Sequence, residues 1–269
     1  FGGIVKLIFQ PAEERLPGGA SIMIKEGVLQ NPAPTSIFGQ HVHPPLESGK
    51  IGVKPGIYMA SADELFVTVR GRGGHAALPQ DCIDPIVTAS NIILSLQQIV
   101  SRRANPTTPT VLSFGKINSQ GGATNVIPAE VRLEGTFRTM DEQWRSQAHE
   151  LMLEMAEQIA RSAGASCEFK IKKGYPYLQN DLELTTRFRS HAEEFLGAEN
   201  VVDLPIRMTA EDFAYYSQEI PACFYRLGTG NLEKGITSPI HTPTFDVDEE
   251  ALKVGVGLLA WVAFKELQD

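Results

Sequence analysis

Two adjacent carboxylates, Glu13 and Glu14, close the segment Phe9-Gln10-Pro11-Ala12-Glu13-Glu14, just past the apolar run Ile4 to Phe9. Neighbouring side chains diverge, so one of such a pair can hold a metal ion while the other leans over a metal-bound water as general base. Without a metal, the same pair is a solvated acidic turn. His41 and His43 stand at i and i+2 in Gly39-Gln40-His41-Val42-His43-Pro44, a spacing that puts both rings on one face of an extended segment. Neutral imidazole is the commonest transition-metal ligand, and a structural histidine is the alternative. His241 sits between two prolines in Pro239-Ile240-His241-Thr242-Pro243, which fix the loop and pre-position the ring.

Composition bounds what these groups serve. At 269 residues the chain has room for about two domains. With 32 acidic against 24 basic residues and a formal charge of -8, no basic footprint for a phosphate backbone stands out, so nucleic acid is not an expected partner. The longest apolar run, 254–264, is too short for the ~20 residues of a membrane-spanning helix and reads as a core helix. Cys82, Cys167 and Cys223 are odd in number and far apart, which excludes a disulfide framework and favours a reducing, cytoplasmic setting.

The elements that must carry these residues follow from pattern. Ile4 to Phe9 reads as a buried strand, and Gly18-Gly19-Ala20 opens a helix running to Gly27. The spacing predicts strands over 64–69, 110–117, 126–138 and 167–172. Helices are predicted at Asp84-Pro85 to about Arg103 and at Asp141 to Gly164, each aspartate serving as N-cap. In the second helix Trp144, Ala148, Leu151, Met155, Ile159 and Ala163 form the apolar stripe. This βαββαβ order predicts a ferredoxin-like split-βαβ layer over residues 60–172. Helices over 181–196 and 248–267 and a strand over 222–227 resume an α/β pattern, so one α/β domain, 1–59 plus 173–269, is expected to be split by the insertion.

The motifs FQPAEE, GGA-x-x-MI-x-EGVL, GxHxxP, GRGGHAALP, NVIP, GTFR, EDF and HTPTFDVDEEAL, in this order, resemble the M20 family of metallopeptidases. The likeness is greatest to its aminoacylase, hippurate-hydrolase and auxin-conjugate-hydrolase branch. The resemblance implies an α/β metallohydrolase domain with a lid and dimerisation insert, acting on the amide bond of N-acyl amino acids or small peptides. It implies Glu13 as general base, Glu14, His41 and His241 as ligands of two divalent ions of zinc or manganese type, and a homodimer formed through the lid. His75 would stabilise the oxyanion in the partner subunit's site, Asn125 and Arg138 would hold the substrate carboxylate, and Glu211 and Asp212 would support the site without ligating.

The family also places a CGHD-type motif, with a bridging ligand and a further His, upstream of the Glu-Glu strand. No such motif is present, so the catalytic domain is expected to be incomplete at its N-terminal side and the chain to be inactive as it stands. The alternative is a non-catalytic remnant that dimerises or binds a ligand through its lid. A serine hydrolase lacks its G-x-S-x-G elbow, and Gly71-x-Gly73-Gly74 lacks the spacing of a dinucleotide fingerprint.

Overall fold

The computed structural model describes residues 2–268. In chain order the elements are α1 (Gly19–Lys25), β1 (Ile37–Glu47), β2 (Ile51–Val53), β3 (Gly56–Met59), β4 (Asp63–Arg70), β5 (Gly74–His75), α2 (Pro85–Gln98), β6 (Thr110–Gln120), β7 (Val126–Ile127), β8 (Glu130–Thr139), α3 (Glu142–Ser162), β9 (Ser166–Lys173), β10 (Leu178–Asn180), α4 (Leu182–Leu196), β11 (Val201–Asp203), α5 (Ala214–Glu219), β12 (Ala222–Gly230) and α6 (Glu250–Glu266). They gather into two compact units. One takes the residues up to Met59, Leu178–Arg207 and the residues from Glu211 on, and the other takes Ala60–Tyr177 with Met208–Ala210.

The first unit is built on a sheet of order β1-β12-β2-β11. β1 runs parallel to β12, β12 antiparallel to β2, and β2 parallel to β11. All nine residues of β12 are buried, so its two faces meet different surroundings. Cys223, Tyr225 and Leu227 join Phe188 of α4 and Leu258 of α6 in one core, while Phe224 joins Phe213, Tyr216 and Tyr58 in another. Arg226 shares the Phe224 face. Further along β12, Gly228 passes so close to the β1–β2 turn that a Cβ there would lie 2.1 Å from the Glu47 carbonyl oxygen.

The second unit carries an antiparallel sheet of order β6-β8-β4-β9. Strict alternation along β4 puts Leu65, Val67 and Val69 on the face covered by α2 and α3, where Ile92, Leu96 and Met152 complete the core. The Asp84 carboxylate accepts from Ile86 and Val87 N–H, and that of Asp141 accepts from Trp144 N–H, so both caps form where the residue types place them. From Ile99 to Arg103 the helix continues as a wider π turn.

Three expectations are corrected. Ile4 to Phe9 forms no strand, and Ile4, Leu7 and Phe9 are exposed. No strand among the described residues pairs with the segment, and a lone extended run has nothing to satisfy its backbone. It is held instead by Lys6, whose ammonium donates to the Val28, Gln30 and Pro32 carbonyls at 2.8, 2.8 and 3.0 Å. The strand expected over 126–138 is divided into β7 and β8 at Pro128, which has no N–H for a ladder. On α3 the fully buried stripe is Arg145, Ala148, Met152, Ala156 and Ala160, flanked by half-buried Trp144, Leu151, Met155 and Ile159.

Arg145 is tolerated at the core because β4 presents Asp63 to it. The Asp63 carboxylate accepts from Arg145 Nε at 2.9 Å, His149 Nε2 at 2.7 Å and Gly174 N–H at 3.1 Å. Glu142 accepts from Arg145 Nη1 at 2.9 and 3.0 Å. Among the described residues no helix is long and apolar enough to cross a membrane. The 254–264 run lies in α6, which buries Gly255, Leu258 and Val262.

Candidate functional site

Glu13 and Glu14 lie in a tight turn entered through Ala12, whose φ of 58° is left-handed. The turn is seated against the start of α1. A Cβ on Gly19 would meet the Pro11 carbonyl oxygen at 1.9 Å, so only glycine permits this approach. Asp212, fully buried, ties the two pieces together by accepting from Gln10 Nε2 at 2.6 Å and from Ala20 N–H at 3.1 Å. Gly19→Ala is expected to cost about 1–3 kcal/mol through overpacking. In hydrogen exchange the Ala20 amide should lose protection in this variant, whereas an unchanged amide would show that the turn does not depend on this contact.

His41 and His43 stand on β1, opposite Arg226 and Gly228 of β12 in the parallel register. Here they lie beyond Phe38 and Gly39, toward the carboxyl ends of the paired strands, the usual ligand edge of an α/β sheet. His41 Nδ1 lies 2.8 Å from the Val42 carbonyl, which can only accept, so Nδ1 carries the proton and Nε2 the free lone pair. Burial, with Arg226 beside it, lowers this histidine to about 4, so the ring is neutral at pH 7. His43 is lowered to about 4 by burial and by Arg207 and Arg226. Arg207 Nη1 donates to His43 Nδ1 at 3.4 Å. His241 occupies a left-handed φ of 62° in an exposed loop, and its Nε2 lies 3.7 Å from a Glu14 carboxylate oxygen.

The carboxylates around this group crowd one another. Burial pushes Glu13 up to about 7, aided by Glu14 and Asp212, while His241 and Arg226 pull the other way. Glu211, nearly buried, is pushed up to about 8 by burial and by Glu13, and its carboxyl accepts weakly from Phe213 N–H. Asp212 is raised by burial against the hydrogen bonds from Ala20 and Gln10. Glu13 can therefore exchange a proton near neutrality, which is what a general base requires.

The second unit holds the other three expected residues. His75 ends β5, which pairs with β7, and Ala76 N–H donates to the Asn125 carbonyl at 2.9 Å, so His75 and Asn125 sit side by side. His75 Nδ1 accepts from Ala77 N–H at 3.1 Å, which places the ring proton on the exposed Nε2, as a donor to an oxyanion must have it. Asn125 is an exposed turn residue. Arg138 on β8 donates to the Met208 carbonyl at 3.1 Å and is lowered by burial.

A divalent metal is a matter of donor number. Glu14, His41 and His241 are right in type, a carboxylate and imidazoles, yet among the described residues no group of three His, Cys, Asp or Glu side chains converges as a metal site would. The pair Glu14 and His241 alone does not fit a resident ion. The pattern of types missed Arg207 and Arg226. A cation inside the otherwise apolar run Ala222-Cys223-Phe224-Tyr225-Arg226-Leu227 was the signal for the second.

Comparison with known proteins gives one answer. The model of peptidase family M20/M25/M40 matches residues 2–265. N-acetylcysteine deacetylase of Bacillus subtilis is 40% identical over 261 residues, covering 97% of this chain and 66% of that protein. IAA-amino acid hydrolase ILR1-like 4 of Arabidopsis thaliana is 38% identical over 274 residues, covering 99% of this chain and 61% of that protein. The crystal structure of the Bacillus subtilis YXEP protein, a dinuclear metal binding peptidase from the M20 family, superposes with a TM-score of 0.77 at 36% identity, covering 97% of this chain and 64% of that one. The chain thus spans roughly two thirds of the length of these relatives. With nearly all of its residues matched and its α/β architecture shared, the chain belongs to peptidase family M20/M25/M40.

Proposed function

We propose that this chain carries part of the machinery of an amidohydrolase that cleaves the amide bond of N-acyl amino acids or small peptides. The observation that supports this most is the placement of Glu13, Glu14 and His241 together, with Glu13 held near neutrality among carboxylates. In this reading Glu13 takes a proton from the water that attacks the amide carbonyl and returns it to the departing amine. His75 donates from Nε2 to the oxyanion, reaching the site of a partner subunit in a homodimer formed through the 60–172 insert. Asn125 and Arg138 hold the substrate carboxylate. The names of the relatives, deacetylases and a hydrolase of amino-acid conjugates, support this substrate class.

Two divalent ions of zinc or manganese type belong to the reading, with Glu14, His41 and His241 as their ligands from this chain. Because those residues do not close a site by themselves, the 269-residue chain is expected to be inactive. The same feature favours the second reading, a non-catalytic protein that dimerises or binds a ligand. Metal analysis after dialysis against zinc or manganese tests both. The expected result is well below two equivalents per chain, with no hydrolysis of an N-acetyl amino acid. Near two equivalents with chelator-sensitive turnover would sink the inactive and non-catalytic readings together.

A further inference from the structure

Arg226 is only 4% exposed, yet among the described residues it forms no ion pair. Its partners are weak ones. Nε donates to the Tyr58 hydroxyl at 3.4 Å, Nη2 lies 3.3 Å from the Met59 sulfur, and the guanidinium sits 5.2 Å from the Phe224 ring centroid. Arg207, half-buried, forms no ion pair among the described residues either, and its side chain donates to the His43 ring. Its backbone N–H bonds the Tyr58 carbonyl, so both arginines flank the end of β3, on the same side as His41 and His43.

A guanidinium stays charged at any working pH, and burying it without a carboxylate is costly. Two such groups side by side add mutual repulsion. Two guanidiniums with no carboxylate in ion-pair contact are complementary to an anion, and the planar forks match a carboxylate.

We infer that Arg226 and Arg207 form a subsite for a second carboxylate, so that the ligand is a diacidic N-acyl amino acid. This rests on the N-acyl amino acid reading above and narrows it. The extra acid comes either from the amino-acid side chain or from the far end of the acyl group, and both present the same chemistry.

Calorimetric binding to the 269-residue chain tests this with matched pairs that share the α-carboxylate. N-acetylglutamate is compared with N-acetylglutamine for the side-chain source, and N-glutarylleucine with its terminal amide for the acyl source. At least one acid is expected to bind roughly tenfold or more tightly than its neutral partner. Arg226→Met and Arg207→Met should each erase that preference. Arg226→Met should also raise the thermal midpoint of the ligand-free chain, because an unpaired buried charge is replaced by an apolar side chain of similar length. A merely structural Arg226 would lower it.

Equal binding within both pairs, or an acid preference that survives both substitutions, would overturn the subsite. If Arg226→Met fails to fold, Arg207→Met carries the test alone. The readout is binding, so a lack of turnover leaves an acid preference intact as support. Turnover of all four compounds with equal affinities would overturn the subsite while amide cleavage stood.

Discussion

Asp63→Ala is expected to destabilise the second unit by about 3–5 kcal/mol, because it removes the one fully buried carboxylate that faces Arg145 and leaves the guanidinium only the partly exposed Glu142. The carboxylate it removes accepts from Arg145, His149 and Gly174, so three donors lose their acceptor at once. Replacing both partners, as Asp63→Leu with Arg145→Met, should recover much of the loss, since no buried charge is then left unpaired. Urea unfolding followed by Trp144 fluorescence in a Trp261→Phe background reports on this unit alone. If Asp63→Ala moved the midpoint no more than a surface substitution does, the cluster would be ornamental.

The same carboxylate sets an acid limit. Burial pushes Asp63 up, but the hydrogen bonds from His149 and Arg145 outweigh it and hold the group at about 2, below its ordinary 3.8. A folded pKa below the unfolded one means the contribution is complete above about 4 and is lost as pH falls from there toward 2. A shift of that size is worth roughly 2–3 kcal/mol. In the Asp63→Leu, Arg145→Met variant this part of the acid sensitivity should vanish.

Phe188→Ala is expected to cost the first unit about 3–5 kcal/mol. The ring is fully buried on α4, 4.6 Å from the Tyr225 ring centroid and 6.0 Å from that of Phe38, so it joins the helix to both β12 and β1. Phe188→Leu, which keeps most of the volume, should cost under about 1.5 kcal/mol. Trp261 fluorescence in a Trp144→Phe background measures the difference. A loss as large for leucine as for alanine would mean that aromatic geometry, and not filled volume, holds these strands.

Much of this fold was legible where a local rule decides. Asp84, Asp141 and Asp181 each cap a helix because a short carboxylate before an amphipathic run satisfies orphan N–H groups whatever the tertiary context. Val131, Leu133 and Phe137 alternate on β8 as a half-buried strand must. What stayed hidden depended on distant partners. β1 contains Gly, Gln, two His and two Pro, and is a strand because β12 lies beside it. Ile4 to Phe9 shows the reverse, a strand-like sequence without a neighbour. On α3 the bulky residues suggested the stripe, but close packing put alanines at its centre, and Asp63, 82 positions away, made Arg145 a core residue.

In the candidate site, the residues matched by motif were found in the sequence, and the arginines were not. His241 lies far along the chain from the adjacent Glu13 and Glu14, and spacing alone could not say that it would face Glu14. Arg207 and Arg226 belong to no motif. Their meaning lies in what they lack among the described residues, a carboxylate in ion-pair contact, and that is visible only in the fold.

Gly228 has a further role in how the strand pairs during folding. A slip of one residue along β12 would carry Arg226 into the helix-covered core and turn Tyr225 toward His41, exchanging the two faces. Neither Leu227 nor Thr229 could then occupy the place where a Cβ meets the Glu47 carbonyl oxygen at 2.1 Å. The missing side chain acts as a proofreading notch against the one-residue slip, and so guards the assignment of polar and apolar faces that the chemistry can use.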